Sequence, residues 1–149
     1  MLDNVVLIMP TRLEYLHLAA STVKGLCQHF NQDGAGEEFS YSVELAVSEA
    51  CTNAIKHCRA GGCERPLELT FELSDAKIVV IIKHKGVQFD FDNAPLPQFD
   101  IHPEGGYGIY LIKEIMDQVE YSRVDGCNVI KMTKFAGKDI VGKGEDIDL

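Results

Sequence analysis

The sequence predicts an α+β fold, a two-layer α/β sandwich in which a mixed, mainly antiparallel sheet carries helices on one face. Three observations predict it. Strand and helix patterns follow one another in the order β-α-α-β-β-loop-α-β-β. Two strand pairs are joined by tight turns, at Ser74-Asp75-Ala76 and at Asp125-Gly126, and short links of this kind make antiparallel neighbours. The chain has 149 residues, 46% of them hydrophobic, enough for one domain with its own core and no disulfide or metal staple.

Residues 4–9 (NVVLIM) form a short, β-branched run that Pro10 ends, so they read as a first strand. Thr11 and Glu14 have capping-box spacing and predict the start of a helix. That helix shows Leu13, Leu16, Ala20, Val23 and Leu26 or Cys27 on one face, and should end before Asn31. Residues 31–38 (NQDGAGEE) read as a polar loop, with Ser40 as the N-cap of the next helix. The second helix carries Val43, Val47, Ala50 and Ala54 as an apolar stripe and should end before Ala60-Gly61-Gly62.

Residues 67–73 (LELTFEL) alternate strictly, which predicts a strand with one buried and one wet face. Residues 78–82 (IVVII) are continuously apolar and read as a more central strand. From Gly86 to Gly108 the chain is loop-like, with three prolines and the run GGYG. A connection this long in a small domain is usually functional. Helical periodicity resumes over 109–116, and a hairpin of 119–124 with 127–135 closes the fold. The domain therefore runs over 1–136, and the charged, Gly-containing residues 137–149 read as a frayed tail.

The formal net charge is −9, which disfavours nonspecific binding to nucleic acid, a process driven by Lys and Arg neutralising phosphates. No apolar run approaches the roughly eighteen residues of a membrane span. The N-terminus, MLDNVVLIMP, has an acid where a signal peptide is basic. The expected compartment is the cytoplasm, and the five cysteines are expected to be free thiols. His57, Cys58 and Cys63 lie close in sequence, but their spacing matches no standard zinc pattern.

The chemistry concentrates in ELAVSEACTNAIKH, residues 44–57. Positions four apart stack on a helix, so Glu49, Asn53 and His57 form a polar file beside the apolar stripe. A half-buried carboxylate and carboxamide must be satisfied, by loop backbone or by a ligand such as a metal with phosphate oxygens. Gly105-Gly106-Tyr107-Gly108 directly precedes a helix. Glycines let backbone approach closely, and a helix N-terminus favours anions. His84-Lys85-Gly86 ends the IVVII strand, with Phe89-Asp90 beyond it.

In this order, SEACTNAIKH, the glycine turn with Phe-Asp, GGYGIYLIKEIMDQVEY and NVIKMTKF resemble the bacterial anti-sigma-factor serine/threonine kinases of the histidine-kinase-like (GHKL) ATPase superfamily. The resemblance runs from about Val5 to Phe135. It implies the histidine-kinase-like ATPase fold and binding of ATP with Mg²⁺ between the asparagine-box helix and a lid. Asn53 matches the family's Mg²⁺ ligand, and Glu49 its catalytic base. Gly106 and Gly108, which flank Tyr107, match lid glycines that contact phosphates. Gly86 matches the glycine of the adenine-binding turn. His57 closes the box, as a structural hydrogen bonder or as a direct contact. The implied partners are a sigma factor and an anti-anti-sigma protein carrying the acceptor serine, with a homodimer as the assembly.

The sequence also departs from that pattern. His84 stands where the family has an adenine-reading aspartate, Gln88 where it has a second glycine, and Glu104 near a usual basic residue. Two readings stay open: an ATP-dependent protein kinase, and a nucleotide-independent module that only binds partners.

Overall fold

The computed structural model describes residues 3–30, 36–62, 64–86 and 108–136. Five strands form one sheet: β1 (Asp3–Met9), β2 (Leu67–Leu73), β3 (Lys77–Lys85), β4 (Gln118–Val124) and β5 (Cys127–Phe135). Three helices accompany it: α1 (Leu16–Cys27), α2 (Gly36–Ala60) and α3 (Gly108–Ile115). The strand order is β1-β2-β3-β5-β4, and each of the four pairings is antiparallel. The β-branched run 78–82 lies in the middle strand, where burial on both faces suits it.

The register aligns the inward-facing side chains in rows across the sheet. One row is Val5, Phe71, Val80, Met132 and Val119; the next is Leu7, Leu69, Ile82, Ile130 and Tyr121. α2 packs over them with Val43, Val47, Ala50 and Ala54 buried, the stripe that periodicity predicts. Both hairpins form. At the second, Asp125 (φ 51°) and Gly126 (φ 78°) are both left-handed, the conformation that a two-residue turn requires to match strand twist.

Three local expectations fail. The capping box at Thr11 does not form. Arg12 stays extended and makes no side-chain cap bond, Leu13–Tyr15 turn as a short 3-10 segment, and α1 starts only at Leu16. Its buried face is accordingly Ala19, Val23 and Cys27, while Leu13 faces solvent. Ser40 is not an N-cap either: α2 begins at Gly36, and the Ser40 hydroxyl donates to Glu44 Oε2 at 2.7 Å inside the helix. Here tertiary packing along α2 outweighs the local preference of a serine for a helix end.

Burial pushes the Cys51 thiol up to about 12, and burial together with Glu44 does the same at Cys27. Among the described residues, Cys27, Cys51 and Cys127 are free thiols. No helix of the described residues is long and apolar enough to cross a membrane. The tail, 137–149, lies outside the described residues.

Candidate functional site

Beyond the two apolar rows, the sheet's inner face turns polar. The next register positions pair His84 on β3 with Asn128 on β5, and Asn128 with Arg123 on β4. Opposite them, α2 presents only the small side chains of Ala50 and Ala54, flanked by Asn53 and His57. Large strand residues facing alanines leave a gap. The result is a narrow cleft of about 30 Å³ between α2, α3 and the sheet. Its apolar wall comes from Ile109 and Ile112 of α3 and Ile130 of β5.

α3 is anchored at its far end. Lys134 Nζ donates to the Ile115 carbonyl at 2.8 Å, and the Phe135 amide donates to Asp117 Oδ2 at 2.8 Å. These bonds aim the N-terminus of α3 at the polar file of α2. The approach is close: a Cβ on Gly108 would stand 2.9 Å from Glu49 Oε1 and 3.1 Å from Asn53 Nδ2. Only glycine fits there without displacing one of them. The carboxylate and carboxamide thus sit at the positive end of the helix dipole, beside backbone N–H groups that a helix start leaves without intrahelical partners. Two oxygen-bearing side chains at an anion-binding helix end suit a hard cation together with phosphate oxygens.

The residues singled out from sequence fall as follows. Glu49, Asn53 and His57 are all half-buried on α2, as the polar file requires. Glu49, Asn53 and Gly108 come together. His57 and His84 meet edge-to-face, with ring centroids 6.4 Å apart, inside the cleft. Gly86 lies beside them: a Cβ on it would stand 3.7 Å from His84 Nδ1 and 3.8 Å from Asn128 Nδ2. Gly106, Tyr107, Gln88, Glu104 and the other residues over 90–104, where the lid is expected, lie outside the described residues, as does Cys63. Among the described residues, no cluster of three or more His, Cys, Asp or Glu could hold a metal by itself.

Sequence reasoning missed Asn128 and Tyr121. Asn128 is 1% exposed, and its Oδ1 accepts from Arg123 Nη1 at 3.0 Å and from the Tyr121 hydroxyl. The Asp-Gly turn fixes the Arg123–Asn128 pairing and was a usable signal. The pairing of His84 with Asn128 crosses from β3 to β5, and no local pattern encodes it.

His84 is buried, and its Nδ1 has no hydrogen-bond partner. Burial pushes its pKa below the ordinary histidine value, and the nearby His57 and Arg123 push the same way against a backbone contact at Lys85. The ring is neutral near pH 7. The unfolded chain therefore binds this proton more readily than the folded one, so stability is full above about pH 6.5 and falls as pH drops below it. His84→Gln, which cannot titrate, should lose less melting temperature than the natural protein between about pH 7 and pH 5 in scanning calorimetry. Equal losses would show that His84 is protonated without penalty.

A family profile described as histidine kinase-like ATPase domain matches residues 9–134. The chain belongs to that family. Within it, the chain is similar to serine-protein kinase RsbW of Staphylococcus aureus: in strains JH9 and Newman the identity is 31% over 157 residues, covering 99% of this chain and 96% of the relative. These relatives bear out the resemblance to the anti-sigma-factor kinases that the motifs carry.

Proposed function

We propose that this chain is an ATP-dependent serine/threonine protein kinase that phosphorylates an anti-anti-sigma partner and otherwise holds a sigma factor. One observation carries the reading: Glu49 and Asn53, one helical turn apart, converge on Gly108 at the N-terminus of α3. The near full-length similarity to a serine-protein kinase supports it.

The residues fit the implied Mg²⁺ and nucleotide. Asn53 Oδ1 is a suitable neutral oxygen ligand for a hard cation. The Gly108 backbone leaves room that a side chain would fill. Bound Mg²⁺·ATP would supply the transferable phosphoryl group and neutralise its charge. Glu49 accepts the proton of the partner's serine hydroxyl as that oxygen becomes bonded to phosphorus, leaving ADP. The N–H groups at the start of α3 orient phosphate oxygens. His57, His84, Gly86 and the isoleucines would shape the base end of the cleft, and the family resemblance assigns Gly106 and Tyr107 to the phosphates.

The net charge of −9 supports a protein partner rather than nucleic acid or an anionic membrane surface. β1 is an edge strand with Val6 and Ile8 exposed, which supports self-association as a homodimer. The cytoplasm is the proposed compartment.

The second reading, a module that binds partners without nucleotide, is favoured by His84: among the described residues, the cleft wall offers no carboxylate to a base. Calorimetric titration separates the two. The natural protein should bind ATP with Mg²⁺, and Asn53→Ala should lose about tenfold or more in affinity for Mg·ATP while metal-free ATP binds as before. Equal losses with and without Mg²⁺ would make Asn53 structural. No binding of ATP by the natural protein would leave only the partner-binding module.

A further inference from the structure

Side chains alternate along β5, so Asn128, Ile130, Met132 and Lys134 share the inner face of the sheet. Lys134 is the odd member. It opposes Ile78 and, one strand further, Leu73, both of which are buried. A half-buried charge at the end of an apolar row needs a partner. Lys134 has one outside the sheet: its Nζ donates to the Ile115 carbonyl at 2.8 Å. A carbonyl in the last turn of a helix lacks an intrahelical donor, and a cation there suits the helix dipole.

Two more bonds close the same junction. The Asp117 amide donates to the Thr133 carbonyl at 2.9 Å, and the Phe135 amide donates to Asp117 Oδ2 at 2.8 Å. Residues 115–117 are thereby tied to 133–135 at one end of α3. At the other end Gly108 meets Glu49 and Asn53. α3 has eight residues, of which Ile109 and Ile112 are buried. A helix so short takes its direction from its anchored end. Its length is about 12 Å, so a tilt of about 5° at the anchor carries the N-terminus about 1 Å across Glu49 and Asn53.

We propose that Lys134 is a positioning residue: through the Ile115 carbonyl it sets the direction of α3, and with it the place of the α3 N-terminus against the phosphates of Mg·ATP. It acts through the helix and not on the nucleotide itself. The inference rests on the kinase reading above and deepens it, naming a residue at the far end of α3 on which the phosphate end depends.

The test is titration of the full chain with ATP and Mg²⁺, beside its melting temperature. Lys134→Met keeps most of the apolar stem and loses the donor. Its affinity for Mg·ATP should fall about tenfold or more, measured where the protein is folded. Lys134→Arg keeps a charged donor and should bind within about threefold of the natural protein. Lys77→Met is the contrast. Lys77 is at the same end of the sheet but on the opposite face, with its Nζ 5.9 Å from the centre of the Phe135 ring. Its loss also removes one positive charge and one stabilising contact, yet leaves α3 anchored, so affinity should not change.

A Lys134→Met protein that melts lower but binds Mg·ATP as tightly as the natural one makes Lys134 a helix cap and no more. That overturns the inference and leaves the kinase reading standing. Equal losses in Lys134→Met and Lys77→Met overturn it too, since lost charge or general loosening then accounts for both. If Lys134→Met does not fold, Lys134→Gln, polar but uncharged, bears the same comparison. If the natural protein binds no Mg·ATP, the kinase reading falls and this inference with it.

Discussion

Replacing Glu49 by Gln is expected to keep nucleotide bound and to stop its use. The side chain keeps its length and an oxygen toward Gly108, so the α2–α3 contact and the cleft should survive. What disappears is the basic oxygen proposed to take the serine proton. Positioned general bases contribute about a hundredfold to ten-thousandfold, and the phosphoryl transfer rate to the partner serine should fall by that factor. Affinity for ATP, measured by titration on the same preparation, should stay within about threefold. The split between binding and rate separates a base from a structural carboxylate. A structural Glu49, satisfying the N-terminus of α3, would lose melting temperature and affinity when neutralised while each bound nucleotide was still transferred at the old rate. Transfer at the natural rate would remove Glu49 from the chemistry.

The sheet was legible because period-two alternation in LELTFEL and the Asp-Gly turn are local signals, and the observed strands reproduce them within a residue. α2 was legible in its stripe and in its polar file, since both follow from helical spacing alone. Its start was not. Ser40 and Thr11 have the chemistry of caps, but a cap is one hydrogen bond of about 1 kcal/mol, and packing of Phe39 and Val43 into the core decides instead.

The proposed phosphate end of the site could be read because Glu49 and Asn53 share one helix and Gly108 starts another. The base end could not. Asn128 and Tyr121 reach it through a register between strands far apart in sequence, and a polar residue in NVIKMTKF reads locally as an outward-facing one. His84 was recognisable as a departure from the family pattern. That it lies buried, with an unpartnered nitrogen, is a property of the assembled sheet.

The same geometry makes Gly108→Ala the sharpest probe of the phosphate end. An added Cβ would stand 2.9 Å from Glu49 Oε1 and 3.1 Å from Asn53 Nδ2, closer than carbon tolerates. Something must move, and the obstacles are the far ends of two side chains rather than backbone. The fold should therefore give way cheaply, within the roughly 1–3 kcal/mol typical of overpacking. The side chains that yield are those proposed to take the proton and to hold the cation. A displacement of about 1 Å in such groups costs on the order of a hundredfold in rate, so phosphoryl transfer should fall about that far while melting temperature drops only a few degrees. Gly25→Ala supplies the contrast. It lies in α1 with nothing within 4 Å of the added carbon, so it should gain up to about 1 kcal/mol from helix propensity and leave transfer unchanged. The two alanines would then move stability and activity in different directions. If the Gly108→Ala protein transfers at the natural rate, the N-terminus of α3 does not press on Glu49 and Asn53 during the reaction, and their convergence there is not what sets the chemistry.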